Sequence, residues 1–173
     1  MSEYYITQKI NKELATGRMR ASKLDNCIWM FTIPKADKKE PRFLIDCIPR
    51  NKVTIKDLTP LPNVKGIINW VAVRKFRSKL DLTDGYYNIR VHPNSVKHNT
   101  ILTYMGKFDL LVILQGDCNA PATMMSVMNW LLRHQLNKTC KIYIVDILIA
   151  THIYKEHVKA IREIMDILGK AKM

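Results

Sequence analysis

Cysteine is scarce and scattered in these 173 residues. Cys27, Cys47, Cys118 and Cys140 form no C-x-x-C pair and no cluster with histidine, which argues against a zinc site. A disulfide framework is also not expected, because a chain of this length can bury a core without one, so a reducing compartment fits best. Long apolar runs are lacking as well: none approaches the roughly 18 residues of a membrane-crossing helix. The opening Met1-Ser2-Glu3-Tyr4-Tyr5 does not have the basic-then-apolar layout of a secretion signal. There is no internal repeat and no low-complexity stretch. Acidic residues are few, 15 Asp+Glu against 28 Lys+Arg, so the formal charge is +13. Such an excess attracts polyanions, nucleic acid first and an anionic membrane surface second.

What is there is ample apolar material, 47% of residues, enough for one ordinary domain or two tightly packed subdomains. Ile6, Ile10 and Leu14 recur every four residues and predict a helix over 3–16, with Gly17 as its stop. Short apolar runs at 28–34 and 41–47 flank a charged turn, Ala36-Asp37-Lys38-Lys39-Glu40, and predict a hairpin with a basic tip. Pro60 and Pro62 break the chain before a helix over 63–73. A strand over 76–82 is expected to end on Asp81, and 99–104 with 107–113 flank Met105-Gly106 as a second hairpin. Residues 120–136 read as a helix with Pro121 in its first turn. The run 140–150 reads as two strands reversing around Val145-Asp146. A last helix over 154–168 places Val158, Ile161, Met165 and Leu168 on one face. Hairpins mixed with helices, without regular βαβ alternation, imply the α+β class.

Four stretches have side chains suited to chemistry, and each has an ordinary reading beside it. In Ser78-Lys79-Leu80-Asp81-Leu82-Thr83-Asp84-Gly85-Tyr86 an acid ends an apolar strand, where a sheet would hold a metal-binding carboxylate in place. The ordinary reading is an aspartate capping a turn. In Tyr143-Ile144-Val145-Asp146 a lone acid sits in a very apolar hairpin and must reach solvent or a cation; a plain turn aspartate is the alternative. Leu114-Gln115-Gly116-Asp117-Cys118-Asn119-Ala120-Pro121-Ala122 is a turn-rich loop opening a helix, suited to a ligand, or simply to capping by Asp117 or Asn119. The hairpin with Lys35, Lys38, Lys39 and Arg42 can grip phosphates, or be no more than a solvated charged loop.

In their order and spacing these stretches resemble reverse transcriptases, closest to those of gypsy-type long-terminal-repeat retrotransposons of the fungal branch. Further likeness lies in Lys12-Glu13-Leu14-Ala15-Thr16-Gly17-Arg18, in Asn51-Lys52-Val53-Thr54-Ile55-Lys56-Asp57, in Pro60-Leu61-Pro62 and in Asp146-Ile147-Leu148-Ile149. The resemblance covers nearly the whole chain. It implies the fingers and palm of a right-hand polymerase, an antiparallel sheet packed on helices. Fingers would span about 1–75 and 92–112, interleaved with palm at about 76–91 and 113–173. The family's thumb, connection and RNase H segments lie outside these residues, so grip on a template-primer is expected to be weak. The resemblance implies an RNA or DNA template-primer and a deoxynucleoside triphosphate as partners, and no membrane. It implies an intracellular setting, in cytoplasmic particles or the nucleus.

Residue by residue, the resemblance implies that Asp81 and Asp146 are metal-binding carboxylates for two Mg²⁺ ions, with the Leu82 carbonyl as a further ligand. Lys35 and Arg42 would hold the incoming triphosphate. Tyr86, with Asp84 and Gly85 shaping its pocket, would exclude a ribose 2′-hydroxyl. Gln115 and Gly116 would lie near the incoming nucleotide and template, and Tyr143 beneath the primer end. The departure is Val145, which stands where the Tyr-x-Asp-Asp signature has its first aspartate. Valine offers no oxygen to Mg²⁺, and a β-branched residue is expected to strain the reversal. Loss of about 4 kcal/mol of transition-state stabilisation slows a reaction roughly a thousandfold. Little or no polymerase activity is therefore expected. The alternative function is a non-catalytic nucleic-acid-binding remnant of a retroelement, and a third is an interaction or structural protein that reuses the core.

Overall fold

The computed structural model describes residues 2–35 and 38–173, with the side chains of residue 2 and of residues 35–40 left undescribed. The expected basic tip at residues 36–40 thus falls largely outside the described residues. The chain packs as two units, Met1–Ile55 with Tyr86–Ala120, and Lys56–Gly85 with Pro121–Met173.

The first unit opens with α1 (Ser2–Ala15), which stops at Gly17 with φ +64°. Ile6 and Ile10 are buried, as the periodicity predicts. Leu14 is not: Glu13 takes the third buried place on the helix. At about 100° per residue, position 13 lies about 20° from Ile6 around the axis and position 14 about 80° away. The Glu13 carboxylate is fully buried, with Lys9 Nζ 2.7 Å and Arg18 Nη1 3.9 Å from its oxygens.

Next come β1 (Met19–Ala21), β2 (Ile28–Lys35), β3 (Lys38–Ile45), the short α2 (Ile48–Val53), β5 (Thr100–Thr103) and β6 (Gly106–Leu110). The strand order is β1-β6-β5-β2-β3. Both expected hairpins form, β2–β3 and β5–β6. The sheet is mixed rather than antiparallel throughout, because Ile28 and Trp29 pair in parallel with Ile101 and Leu102. Ile10, Met19, Met30, Ile101, Phe108, Leu110 and Leu114 form the core of this unit. In β2 the parity is clean: Met30 faces in, while Trp29, Phe31 and Ile33 face out.

The second unit contains α3 (Val64–Ala72), β4 (Phe76–Asp81), α4 (Ala120–Leu131), β7 (Cys140–Tyr143), β8 (Asp146–Thr151) and α5 (Tyr154–Ala171). Asn63 caps α3 by accepting the Gly66 N–H. The helix expected over 120–136 ends at Leu131, and turns follow, with Asn137 at φ +66°. The strands form an antiparallel sheet in the order β4-β8-β7, and α5 packs on it. The buried face of α5 is His157, Ala160, Ile164 and Leu168: Leu168 is as expected, the other three each stand one residue before Val158, Ile161 and Met165, and Met165 is exposed. Ile147 and Ile149 are fully buried beneath it, each contributing about 2 kcal/mol of apolar transfer. Cys140 shares that layer, and burial pushes its thiol up to about 11. All four cysteines are free thiols.

Candidate active site

Strand parity arranges the second unit's sheet into two chemically different faces. On β4, Phe76, Ser78 and Leu80 point one way and Arg77, Lys79 and Asp81 the other, the latter set exposed. Register does the rest. Asp81 lies opposite Asp146, which lies opposite Tyr143; in the next row, Lys79 lies opposite Leu148 and Leu148 opposite Lys141. On the other face, Leu80, Ile147 and Ile142 make an apolar row, and Ser78 Oγ lies 2.9 Å from Nε2 of the buried His157 on α5.

Asp81 and Asp146 are therefore direct cross-strand neighbours at the open end of the sheet. Side chains so placed have Cβ atoms about 5 Å apart, and like charges there repel. Lys79 offsets part of that repulsion, with Nζ 2.9 Å from Asp146 Oδ1. The pair is well exposed on the lysine side, so its stability contribution is small, under about 1 kcal/mol. Its main effect is electrostatic: Asp146 already has an ammonium in place beside it.

The reversal beside this row differs by one residue from expectation. Tyr143 pairs with Asp146, so the loop is Ile144-Val145 and Asp146 belongs to the strand. The strained position is Ile144, at φ +57°, and not Val145. A β-branched residue there costs about 1–3 kcal/mol. The Ile144 N–H points to Met125 Sδ at 3.0 Å. Val145 is held from two sides: its carbonyl accepts the Leu82 N–H at 3.3 Å, and its Cγ1 lies 3.1 Å from where a Cβ on Gly85 would stand. Gly85 is thus glycine because Val145, Leu82 and Met124 fill the space beside it. The Leu82 carbonyl accepts the Gly85 N–H at 3.3 Å. Asp84 is exposed, at φ +54°.

Mg²⁺ takes six oxygens in near-octahedral geometry. This end of the sheet offers two carboxylates, one of them ion-paired, and a carbonyl already hydrogen-bonded. Val145 presents methyl groups. No cluster of three or more His, Cys, Asp or Glu side chains suited to a metal occurs among the described residues. The donor set does not fit a pair of divalent ions.

Arg42, Tyr86, Gln115 and Gly116 belong to the first unit. Arg42 is exposed on β3, opposite Ile33. The Lys35 backbone ends β2, and its side chain is outside the described structure. Tyr86 lies in a 3-10 turn, Gly85–Asn88, and burial raises its phenol above the ordinary value. Gln115 and Gly116 are exposed at a bend where Gly116 takes φ +109°.

This bend has supports that sequence reasoning missed. Asn51 of α2 donates to the Gly116 carbonyl at 2.9 Å and accepts the Cys118 N–H at 3.0 Å, bracketing Asp117. Arg50 Nη2 meets Asp117 Oδ2 at 3.1 Å. Asp117 and Asn119 both act as tethers: Asn119 donates to the Ile55 carbonyl at 2.8 Å. Asn51 stood within a recognised run, but nothing local in the sequence marked its partners. Lys79 was likewise visible only as the residue two before Asp81.

Comparisons with known proteins agree on a family. Residues 33–173 match the family model described as reverse transcriptase (RNA-dependent DNA polymerase). The chain is 29% identical over 174 residues to the "Retrovirus-related Pol polyprotein from transposon opus" of Drosophila melanogaster, covering 97% of this chain and 17% of that protein. It is 31% identical over 132 residues to an "RNA-directed DNA polymerase homolog" of Oenothera berteroana, covering 73% of this chain and 93% of that protein. It is 28% identical over 168 residues to the "Transposon Tf2-3 polyprotein" of Schizosaccharomyces pombe, of which it spans 12%. Among solved structures, native prototype foamy virus protease-reverse transcriptase superposes with a TM-score of 0.88 at 22% identity, covering 98% of this chain and 22% of that one. At that identity the likeness is one of fold. The fold is α+β, that of polymerase fingers and palm, and the matched transposon polyproteins are far longer than this chain. The chain belongs to the reverse transcriptase family, as a reverse transcriptase domain of the retrotransposon polyprotein kind.

Proposed function

We propose that this domain holds nucleic acid in the manner of a reverse transcriptase but carries out template-directed deoxynucleotidyl transfer weakly or not at all. The observation that carries this reading is the end of the palm sheet. Asp81 faces Asp146 in register, while Val145 fills the neighbouring position with methyl groups packed over Gly85. An active site of this family would use Asp81, Asp146 and the Leu82 carbonyl around Mg²⁺, and the donors present do not suit it.

Fingers are read as about 1–75 with 92–112 and palm as about 76–91 with 113–173, interleaved along the chain as the two packed units also are. In the fingers, Arg42 and Lys35 are suited to phosphate oxygens; in the palm, Tyr86 is suited to the sugar of a deoxynucleotide and Gln115 with Gly116 to the nucleotide and template. In the palm, Tyr143 beside Asp146 is suited to the primer end, and Asp84 and Gly85 to the wall of the sugar pocket. Binding is supported by the +13 charge and by the structures of foamy viral protease-reverse transcriptase with double-stranded DNA and with an RNA/DNA hybrid.

The test is a gel shift with an RNA–DNA template-primer across a salt series, run beside primer extension. Binding that weakens steeply with salt, with extension near background, is the expected pair of results. Extension that depends on Asp81 would restore full enzymatic status. Absence of binding even at low salt would leave an interaction protein built on the same core.

A further inference from the structure

The Gly116 bend and the start of α2 bring two of the four thiols into one site of the first unit. Cys47 stands just before α2 and is buried, with its Sγ 3.6 Å from where a Cβ on Gly116 would stand. Cys118, half-buried, follows Gly116 by two residues. Asn51 joins the two segments. Its N–H donates to the Cys47 carbonyl at 2.8 Å, and its side chain accepts the Cys118 N–H at 3.0 Å. The Cβ atoms of a disulfide stand about 3.5–4.5 Å apart. The point for a Cβ on Gly116 is 3.9 Å from Cys47 Cβ, so the bend already approaches Cys47 at bridging range.

The two thiols differ in a way that assigns them different parts. Burial pushes the Cys47 thiol up; the Arg50 guanidinium, with Nη2 3.8 Å from Sγ, opposes this, and charge on Asp117, Asp46 and Cys118 adds to the rise. A thiol so shielded is a poor first nucleophile, because the thiolate is the reactive form. Cys118 is the more accessible, and its Sγ is held only by donating to Asn119 Oδ1 at 3.5 Å, a weak bond for a neutral thiol. An accessible thiol with a shielded one close by is the arrangement of an attacking and a resolving cysteine. The other two are placed differently. Cys27 Sγ donates to the Asp25 carbonyl at 3.2 Å in the loop before β2, and Cys140 is buried in the second unit.

We propose that Cys118 and Cys47 form a reversible disulfide by exchange with a low-molecular-weight disulfide such as oxidised glutathione, fastening the Gly116 bend to the start of α2. The Cys118 thiolate attacks one sulfur of the small disulfide, and the other half leaves as a thiolate with the electron pair of the broken S–S bond. The Cys47 thiolate then attacks Cys118 Sγ and displaces the second half. Two protein thiols give up two protons and two electrons to the small disulfide, which departs as two thiols. Excess small thiol reverses both steps. All four cysteines are free in the resting protein, and in a reducing setting such a bond forms in response to oxidant. Neither ions nor nucleic acid takes part.

The test is peptide mass mapping of the folded full chain after incubation at rising ratios of oxidised to reduced glutathione, with remaining thiols blocked by iodoacetamide. A Cys47–Cys118 linked peptide, two hydrogens lighter than its parts, should become the main product and vanish with dithiothreitol. Its yield should exceed the roughly one third that random full pairing of four cysteines gives, a baseline measured on the same chain in guanidinium. Cys47→Ala should accumulate glutathione on Cys118, since nothing resolves the mixed disulfide; Cys118→Ser should leave Cys47 as a thiol. Glutathione that persists on Cys118 of the unmodified chain overturns the proposal. So does Cys118 pairing with Cys27, Cys118 remaining a thiol throughout, or a linked yield no higher folded than unfolded.

Discussion

Val145→Asp changes stability and activity in ways that depend on ions, and the structure sets the sizes. Without a divalent ion the new carboxylate joins Asp81 and Asp146, which are already opposed and of which only Asp146 has an ammonium beside it. Added repulsion at such separations is worth about 1–3 kcal/mol. Loss of the methyl contact over Gly85 and Leu82 adds about 1 kcal/mol. The ion-free variant should therefore melt below the unmodified chain. A divalent ion reverses the sign. At a concentration of about 100 Kd it contributes about 2.7 kcal/mol, or roughly 5–10 °C in Tm for a chain of this size. Melting curves with Mg²⁺, controlled with NaCl at equal ionic strength, should rise for Val145→Asp and stay flat for the parent. Primer extension on an RNA template should rise toward a thousandfold if about 4 kcal/mol of charge stabilisation returns. A parent chain stabilised by Mg²⁺ as much as the variant, or extending primers as fast, would refute the reasoning. A variant that gains no Mg²⁺ response would show that more than one missing carboxylate keeps the ions out.

Two further outcomes concern the first unit. Glu13→Ala should cost about 2 kcal/mol in urea unfolding, below the usual figure for a broken buried pair because Lys9 and Arg18 are each partly exposed; Glu13→Leu should cost less, since it continues the Ile6–Ile10 stripe. Asp109 is buried, which by itself would raise its pKa, yet donors on Ser22, Thr100 and Arg20 outweigh burial and hold it below the ordinary carboxylate range. A depressed folded-state value means that this stabilisation is present above the unfolded aspartate value of about 3.9 and is lost as pH falls through the depressed one. Urea midpoints measured down the acid limb should fall less steeply for Asp109→Asn, and an unchanged slope would remove Asp109 from the account.

Family, class and most elements were readable from the chain alone, because they rest on local pattern. The strands at 28–34 and 41–47 needed only two short apolar runs flanking a charged turn. The stop at Gly17 needed only the left-handed region that glycine enters freely. The polymerase signature needed only the order of Asp81, Tyr86, Gln115 and Tyr143 to Asp146. The errors arose where a shift of one residue decided the outcome. Glu13 and not Leu14 turns inward because 3.6 residues per turn favours a separation of seven over eight. In α5 the period does not decide, since Val158 to Met165 and His157 to Ile164 are both seven residues apart; packing on the sheet buries His157, Ala160 and Ile164.

Other features needed the tertiary structure, because they join residues distant in sequence. Register alone sets Asp81 across from Asp146 and brings Lys79 onto the same face. Packing alone presses Val145 against Gly85, and the two-residue reversal transfers strain to Ile144. The brace from Arg50 and Asn51 to the Gly116 bend spans more than sixty residues of chain and leaves no local pattern. The sequence by itself determined the family to which this chain belongs and marked Val145 as the departure from the expected signature. Only the folded sheet decided how the remaining carboxylates, the lysine and the valine are arranged, because strand register and close packing are properties of pairs of segments and not of either segment alone.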